Sequence, residues 1–205
     1  MGKRITLPGV RDTPASLDRA VNTAHTVVIA CPPHPQHRGH RGDTRLVTIS
    51  DQLTDRGVDC LRFDYGPWDD GYGECTDADN AVSWATDRYD RVALAGFSFG
   101  GAVALITAAG RGDVTAVSAL APTAQLNPDA DAVAALSHLV CPAQIVYATR
   151  DTTADWEPLV DRARELQTTD MDISLTEFAA DHFFIGRETQ VAEPIASFLA
   201  AKLKH

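Results

Sequence analysis

Arg91-Val-Ala-Leu-Ala-Gly-Phe-Ser-Phe-Gly-Gly-Ala-Val-Ala-Leu105 decides the fold. Its apolar run Val92–Ala95 reads as a buried strand, and the Ala-rich segment Ala102–Ala109 reads as a buried helix. Between them lies Gly96-Phe97-Ser98-Phe99-Gly100, a G-x-S-x-G placed on the turn from strand to helix. Such a turn is sharp and strained, so it lifts the Ser98 hydroxyl above the end of the sheet. Gly96 and Gly100 leave out side chains where two backbones must pass closely. With the helix starting near Phe99, its free N–H groups point at the serine. Context separates this reading from an incidental serine in a structural turn.

Outward from this segment, strands alternate with helices, which implies βαβ units and a mostly parallel sheet. Strands are expected at His25–Cys31, Val58–Tyr65, Val114–Ala121, Gln144–Thr149 and Asp172–Phe178. Helices are expected at 44–56, where Leu46, Ile49 and Leu53 share a face, and at 76–89, with Asp77 and Asp79 in its first turn. Two more are expected at 155–167 and 189–203. The first twenty or so residues read as a short hairpin at the sheet edge. The fold class is therefore α/β, with helices on both faces of the sheet and no room for a large lid. The 205 residues, 44% of them hydrophobic, suit a single domain, 1–205, with a full core.

Composition narrows the partners. A net charge of −10 argues against nucleic acid, which would want a basic face. No apolar stretch is long enough for a transmembrane helix, and no apolar region follows the basic residues near the N-terminus as a secretory signal would require. Cys31, Cys60, Cys75 and Cys141 are scattered without C-x-x-C spacing, as expected of buried free thiols in a reducing cytoplasm. Aspartate far outnumbers glutamate, and lysine stands only at positions 3, 202 and 204. That balance fits either a protein adapted to high salt, where carboxylate repulsion is screened, or a high-GC genome.

A serine hydroxyl needs a base within hydrogen-bond reach, and the base needs an orienting acid. In strand–serine–helix hydrolases these follow in the order Ser, acid, His. Asp151 stands just after the strand ending at Thr149, with Asp155 nearby as the alternative acid. His182 stands between the strand ending at Phe178 and the final helix, with Asp181 beside it reading as a surface residue. His34, His37 and His40 precede the serine, His25 begins a strand, His138 precedes another and His205 is terminal, so His182 is the candidate base. An oxyanion site needs two backbone N–H groups. One is that of Phe99. The other comes from the loop after Cys31, where Pro32, Pro33 and Pro35 have none to give, leaving His34 first and Gln36 next. The turn-rich loop Gly66–Cys75 lies at the carboxyl ends of the strands, where open α/β sheets bind ligands. Its Trp68 and Tyr72 are placed either to line a substrate pocket or to cap the core.

These pieces resemble the α/β-hydrolase superfamily over nearly the whole chain, and more narrowly its small, lidless, dienelactone-hydrolase-like members. The matching segments are Pro32-Pro-His-Pro35, Arg62-Phe-Asp-Tyr65, Gly71-Tyr-Gly-Glu74 and Gly96 to Gly100. The first departs from the His-Pro-His-Pro type by a proline at its first position. Dienelactone hydrolases proper use a cysteine nucleophile, where this chain has Ser98, so the resemblance implies the fold and the triad rather than dienelactone as substrate. The expectation is a serine esterase acting on small or exposed acyl groups and needing no metal or organic cofactor. Thioesterase, peptidase and acyltransferase activities share that chemistry. Two rivals are a metal site built from His34, His37, His40 and Asp43, and a non-catalytic binding member of the fold.

Overall fold

A computed structural model describes residues 2–9 and 11–204; Met1, Val10 and the expected chain-end His205 lie outside the described residues. An eight-stranded sheet runs through the middle, built from β1 (Lys3–Leu7), β2 (Thr13–Asp18), β3 (Thr26–Cys31), β4 (Asp59–Phe63), β5 (Arg91–Phe97), β6 (Val114–Leu120), β9 (Ala143–Ala148) and β10 (Ile173–Phe178), in the order β1-β2-β4-β3-β5-β6-β9-β10. β1 and β2 form the expected antiparallel edge hairpin, and every pair from β4 to β10 is parallel. β7 (Gln125–Asn127) and β8 (Ala130–Asp131) pair separately in a small hairpin.

Helices cover both faces, which is why the central strands are apolar on every residue rather than on alternate ones. Along β3, Val27, Ile29 and Cys31 join the core on one side, and Val28 and Ala30 join the core on the other. The first core is closed by α2 (Tyr72–Thr86), α3 (Phe99–Ala109), α4 (Ala132–Leu136) and α5 (Glu157–Gln167). The second is closed by α1 (Thr44–Asp55), through Leu46, Ile49 and Leu53, and by α6 (Glu188–Leu203) packed beside it.

Three features differ from the sequence expectation. α2 begins at Tyr72, four residues inside the segment read as loop. Glu74 is the cause. It is fully buried, and its carboxylate accepts the N–H groups of Asp69 (3.1 Å) and Gly71 (2.8 Å), so the turn winds directly into the helix. The β7–β8 hairpin and α4 were not expected. They are too short to carry a periodicity; they pack on α3 and α5, and Asn127 Nδ2 donates to Asp70 O (2.7 Å) ahead of α2. Among the described residues, no helix is long and apolar enough to cross a membrane.

The crossovers from β3 run one way along the sheet and those from β5 the other, so the gap between these strands is a topological switch point. Cys31 pairs with Gly96, Phe97 with Leu120, Leu120 with Val146, and Ala148 with Phe178. This register brings the loops after β3, β5, β9 and β10 out at one edge.

Burial also makes stability depend on alkaline pH. Burial pushes the Cys60 thiol up from 9.0 to about 12 and the Tyr65 hydroxyl well above its ordinary value. A raised folded-state value means that the unfolded chain releases its protons first. Their contribution is therefore fully present below the unfolded values and is lost as pH rises toward the folded ones. Denaturant midpoints should fall between pH 8 and pH 11, and Cys60→Ala should flatten the decline. An equal slope in the variant would contradict the assignment to this thiol.

Candidate active site

Ser98 sits at the switch point in a conformation few non-glycine residues adopt, φ 56° and ψ −120°. Holding a residue there costs about 1–3 kcal/mol, which the surroundings must offset. Its N–H donates to Leu120 O at 2.8 Å, and its carbonyl accepts from Gly101 N (2.8 Å) and Ala102 N (3.2 Å) as α3 begins. The glycines act as the sequence implied. A Cβ on Gly96 would lie 2.0 Å from Gly100 O, and one on Gly100 would lie 2.2 Å from Cys31 O and 2.3 Å from Pro32 O. The start of α3 is thus pressed against both β5 and the loop after β3.

His182 Nε2 lies 2.9 Å from Ser98 Oγ, and His182 Nδ1 lies 2.6 Å from Asp151 Oδ2. Both partners of the serine are buried. Asp151 has its other oxygen, Oδ1, fixed by the N–H groups of Thr153 (2.8 Å) and Ala154 (3.0 Å), so the carboxylate cannot rotate away from the ring. Of the two candidate acids, Asp151 is the one that reaches the histidine. Asp155 is exposed, and its carbonyl ties down Ala124 N at 3.1 Å. Asp181 is exposed and accepts the N–H groups of Phe183 (3.0 Å) and Phe184 (3.2 Å), shaping the turn after the histidine.

The loop after β3 is fixed from several directions. Tyr65 OH donates to Pro32 O (3.2 Å), and His34 O accepts from His37 N and Gly39 N, both at 3.0 Å. Gln36 spends its N–H on His34 Nδ1 at 3.3 Å, which removes it as an oxyanion donor. Among the described residues no group accepts from the backbone N–H of His34 or of Phe99. The His34 ring stacks on Trp68 (4.5 Å) and His37 (4.6 Å) and lies 4.9 Å from Phe99. Partial burial, and then the neighbouring His37, hold His34 below the ordinary histidine value, which favours the uncharged ring.

A cleft of about 460 Å³ opens beside the serine, lined by Ser98, His182, His34, Arg45, Phe97 and Phe183 among others. Trp68 and Tyr72 are not among its lining residues. Trp68 backs His34 and Phe99 from behind. Tyr72, carried in α2 rather than in a loop, turns its hydroxyl to Asp129 Oδ2 at 2.5 Å. Sequence reasoning passed over Arg45, Phe97 and Phe183. Phe97 and Phe183 are chain neighbours of Ser98 and His182, a signal that was available; nothing in the local sequence announces Arg45. The four-residue metal set does not assemble. His40 Nδ1 accepts from Gly42 N (2.9 Å), Asp43 is engaged by Arg45, and no three His, Cys, Asp or Glu among the described residues are gathered to hold an ion.

Residues 73–202 match the model of the dienelactone hydrolase family. The chain belongs to that family. It is a hydrolase by membership, and its cysteines are free, with Ser98 at the elbow. Solved structures share its fold, among them the following three. An α/β serine hydrolase homologue from Coxiella burnetii superposes with a TM-score of 0.82 at 24% identity, covering 96% of this chain and 97% of the other. Est1E from Butyrivibrio proteoclasticus gives 0.82 at 18%, covering 100% of both chains. A Xanthomonas campestris α/β serine hydrolase described as lacking a lid gives 0.79 at 22%, covering 95% of this chain and 91% of the other. At these identities the likeness is one of fold.

The geometry separates the two acids by experiment. Asp151→Asn should lower kcat for ester hydrolysis by about 10³-fold or more, because an amide neither selects the right tautomer nor supports an imidazolium. Asp155→Asn should stay within about twofold of wild type, as surface changes usually do. The reverse ranking in steady-state assays would overturn the assignment.

Proposed function

We propose that this dienelactone hydrolase family member is a carboxylic ester hydrolase working through an acyl-enzyme on Ser98. The observation that carries the reading is the unbroken chain Ser98 Oγ–His182 Nε2–Asp151 Oδ2, at 2.9 and 2.6 Å, on a strained strand-to-helix turn. Ser98 Oγ attacks the ester carbonyl while its proton passes to His182 Nε2. Asp151 holds the ring and balances the charge that develops on it. The N–H groups of Phe99 and His34 receive the oxyanion, and the prolines around His34 keep that donor in place before substrate arrives. Collapse of the tetrahedral intermediate breaks the C–O bond, and the imidazolium protonates the departing alcohol. Water then loses a proton to His182 and attacks the acyl carbon, which releases the acid and returns the proton to Ser98.

The cleft supports small or exposed acyl groups. Phe97 and Phe183 supply apolar walls, and no inserted subdomain among the described residues shelters a long chain. Est1E has been solved with ferulic acid bound, so hydroxycinnamate esters belong beside acetate and butyrate esters in the assay.

The test is p-nitrophenyl acetate and butyrate hydrolysis by wild type and Ser98→Ala. Wild type should turn over, and the variant should lose at least about 10³-fold in kcat with its thermal melt preserved. Turnover retained in the folded variant would contradict the mechanism.

A further inference from the structure

Asp181 fixes the start of the turn that follows His182, and Phe184 O accepts from Arg187 N (2.9 Å) at its end. Phe184 is held at φ 51° and Gly186 at φ 72°, and an aromatic residue in the left-handed region does not stay there on local preference. The core holds it from one side, where the buried Phe184 ring meets Phe178 edge-on at 6.1 Å between centroids. A second hold, on the carbonyl next to the histidine, comes from the first turn of α1. Arg45 Nη1 donates to Phe183 O at 2.8 Å.

Arg45 is itself held on three sides. Asp43, the N-cap of α1, accepts from Arg45 N (3.0 Å) and Arg45 Nε (2.8 Å) through Oδ1, and from Arg45 Nη2 through Oδ2. This is the forked pairing that a guanidinium makes and an ammonium does not. Its planar head lies over the Phe97 ring, 4.2 Å from the centroid, and the same ring lies 5.2 Å from the His182 ring. Both Arg45 and Asp43 are mostly buried, at 14% and 10% side-chain exposure, so the pair is ordered rather than a loose surface contact.

The clamp belongs to a longer seam. Positions 45, 52 and 56 fall on one face of α1. Gln52 Nε2 donates to Thr189 O (3.1 Å), and Arg56 Nη2 reaches Glu193 Oε1 (3.3 Å) and Ser197 Oγ (3.4 Å). α1 is thereby tied to α6 along its length and to the histidine loop at its tip.

We infer that Arg45, seated by Asp43, is a positioning residue for His182: it clamps the Phe183 carbonyl and so holds the imidazole within reach of Ser98 and Asp151. The role rests on the reading of His182 as the base. Arg45 also lines the cleft, so a substrate-binding role must be told apart from a positioning one. A residue that positions the base acts on kcat, whereas one that binds substrate acts on KM.

The experiment measures kcat, KM and thermal melts for wild type, Ser98→Ala, Arg45→Met, Arg45→Lys and Asp43→Asn on p-nitrophenyl butyrate. Methionine keeps an apolar stem of similar reach but loses both the hydrogen bonds and the planar head over Phe97. Misplacing a catalytic group by an ångström costs about 10²-fold, so Arg45→Met should lose about 10- to 100-fold in kcat with KM within about twofold. Arg45→Lys, which keeps one donor, should fall between Met and wild type. If Arg45→Met does not fold, Asp43→Asn decides, since asparagine still caps the helix but holds the fork weakly. Reduced kcat at unchanged KM then supports the clamp. Wild-type kcat in the deciding variant, a rise in KM as the main effect, or Lys no better than Met would overturn it. Hydrolysis that survives Ser98→Ala would instead refute the underlying mechanism, and Ser98-dependent hydrolysis indifferent to Arg45 would refute the clamp alone.

Discussion

The arrangement depends on one close contact, where the backbone at Gly100 lies against the carbonyls of Cys31 and Pro32. There is no space for a Cβ between them. That approach fixes the start of α3 beside the loop after β3, and with it the two N–H groups, of Phe99 and His34, assigned to the oxyanion. The turn beside this contact holds Ser98 at a positive φ, with the hydroxyl 2.9 Å from His182 Nε2. The energy for this strained corner comes from its surroundings. β3, β5 and β6 are buried on both faces and bonded on both edges, so the corner sits on fully packed, fully hydrogen-bonded strands.

Much of this was legible in the sequence because rigid corners need particular residues. G-x-S-x-G between an apolar strand and an Ala-rich helix has few other uses. The order Ser98, Asp151, His182 matches the one the α/β-hydrolase resemblance implies, and the parallel topology brings their loops to one edge. The choice between Asp151 and Asp155 was not legible. Both stand after the same strand, and only the turn that presents Asp151 Oδ1 to Thr153 N and Ala154 N determines which one faces inward. Tyr72 was misplaced because a buried Glu74 converts a glycine-rich loop into a helix start, and burial of a carboxylate cannot be read from local composition. Arg45 stayed invisible for a different reason. Its partner is a main-chain carbonyl distant in sequence, and such a contact leaves no mark in residue type.

The two faces of the sheet have different duties. On one, α2 and α3 carry the elbow and back the loop after β3. On the other, α1 and α6 form a polar-seamed pair whose tip reaches the histidine loop. Serine and histidine therefore approach the cleft from opposite sides of the sheet and meet only at its edge. The relative placement of the two helical layers sets the 2.9 Å Ser98–His182 distance, which makes the chemistry sensitive to packing well away from the cleft.

The central claim is that Ser98 is the nucleophile and His182 activates it. The most direct measurement is the site of covalent attachment. Native protein and a His182→Ala variant would each be treated with a small fluorophosphonate, digested, and mapped by mass spectrometry. The account predicts a single adduct on Ser98 in the native chain and a much slower one in the variant. An adduct on another residue, or equal labelling of Ser98 without His182, would contradict it.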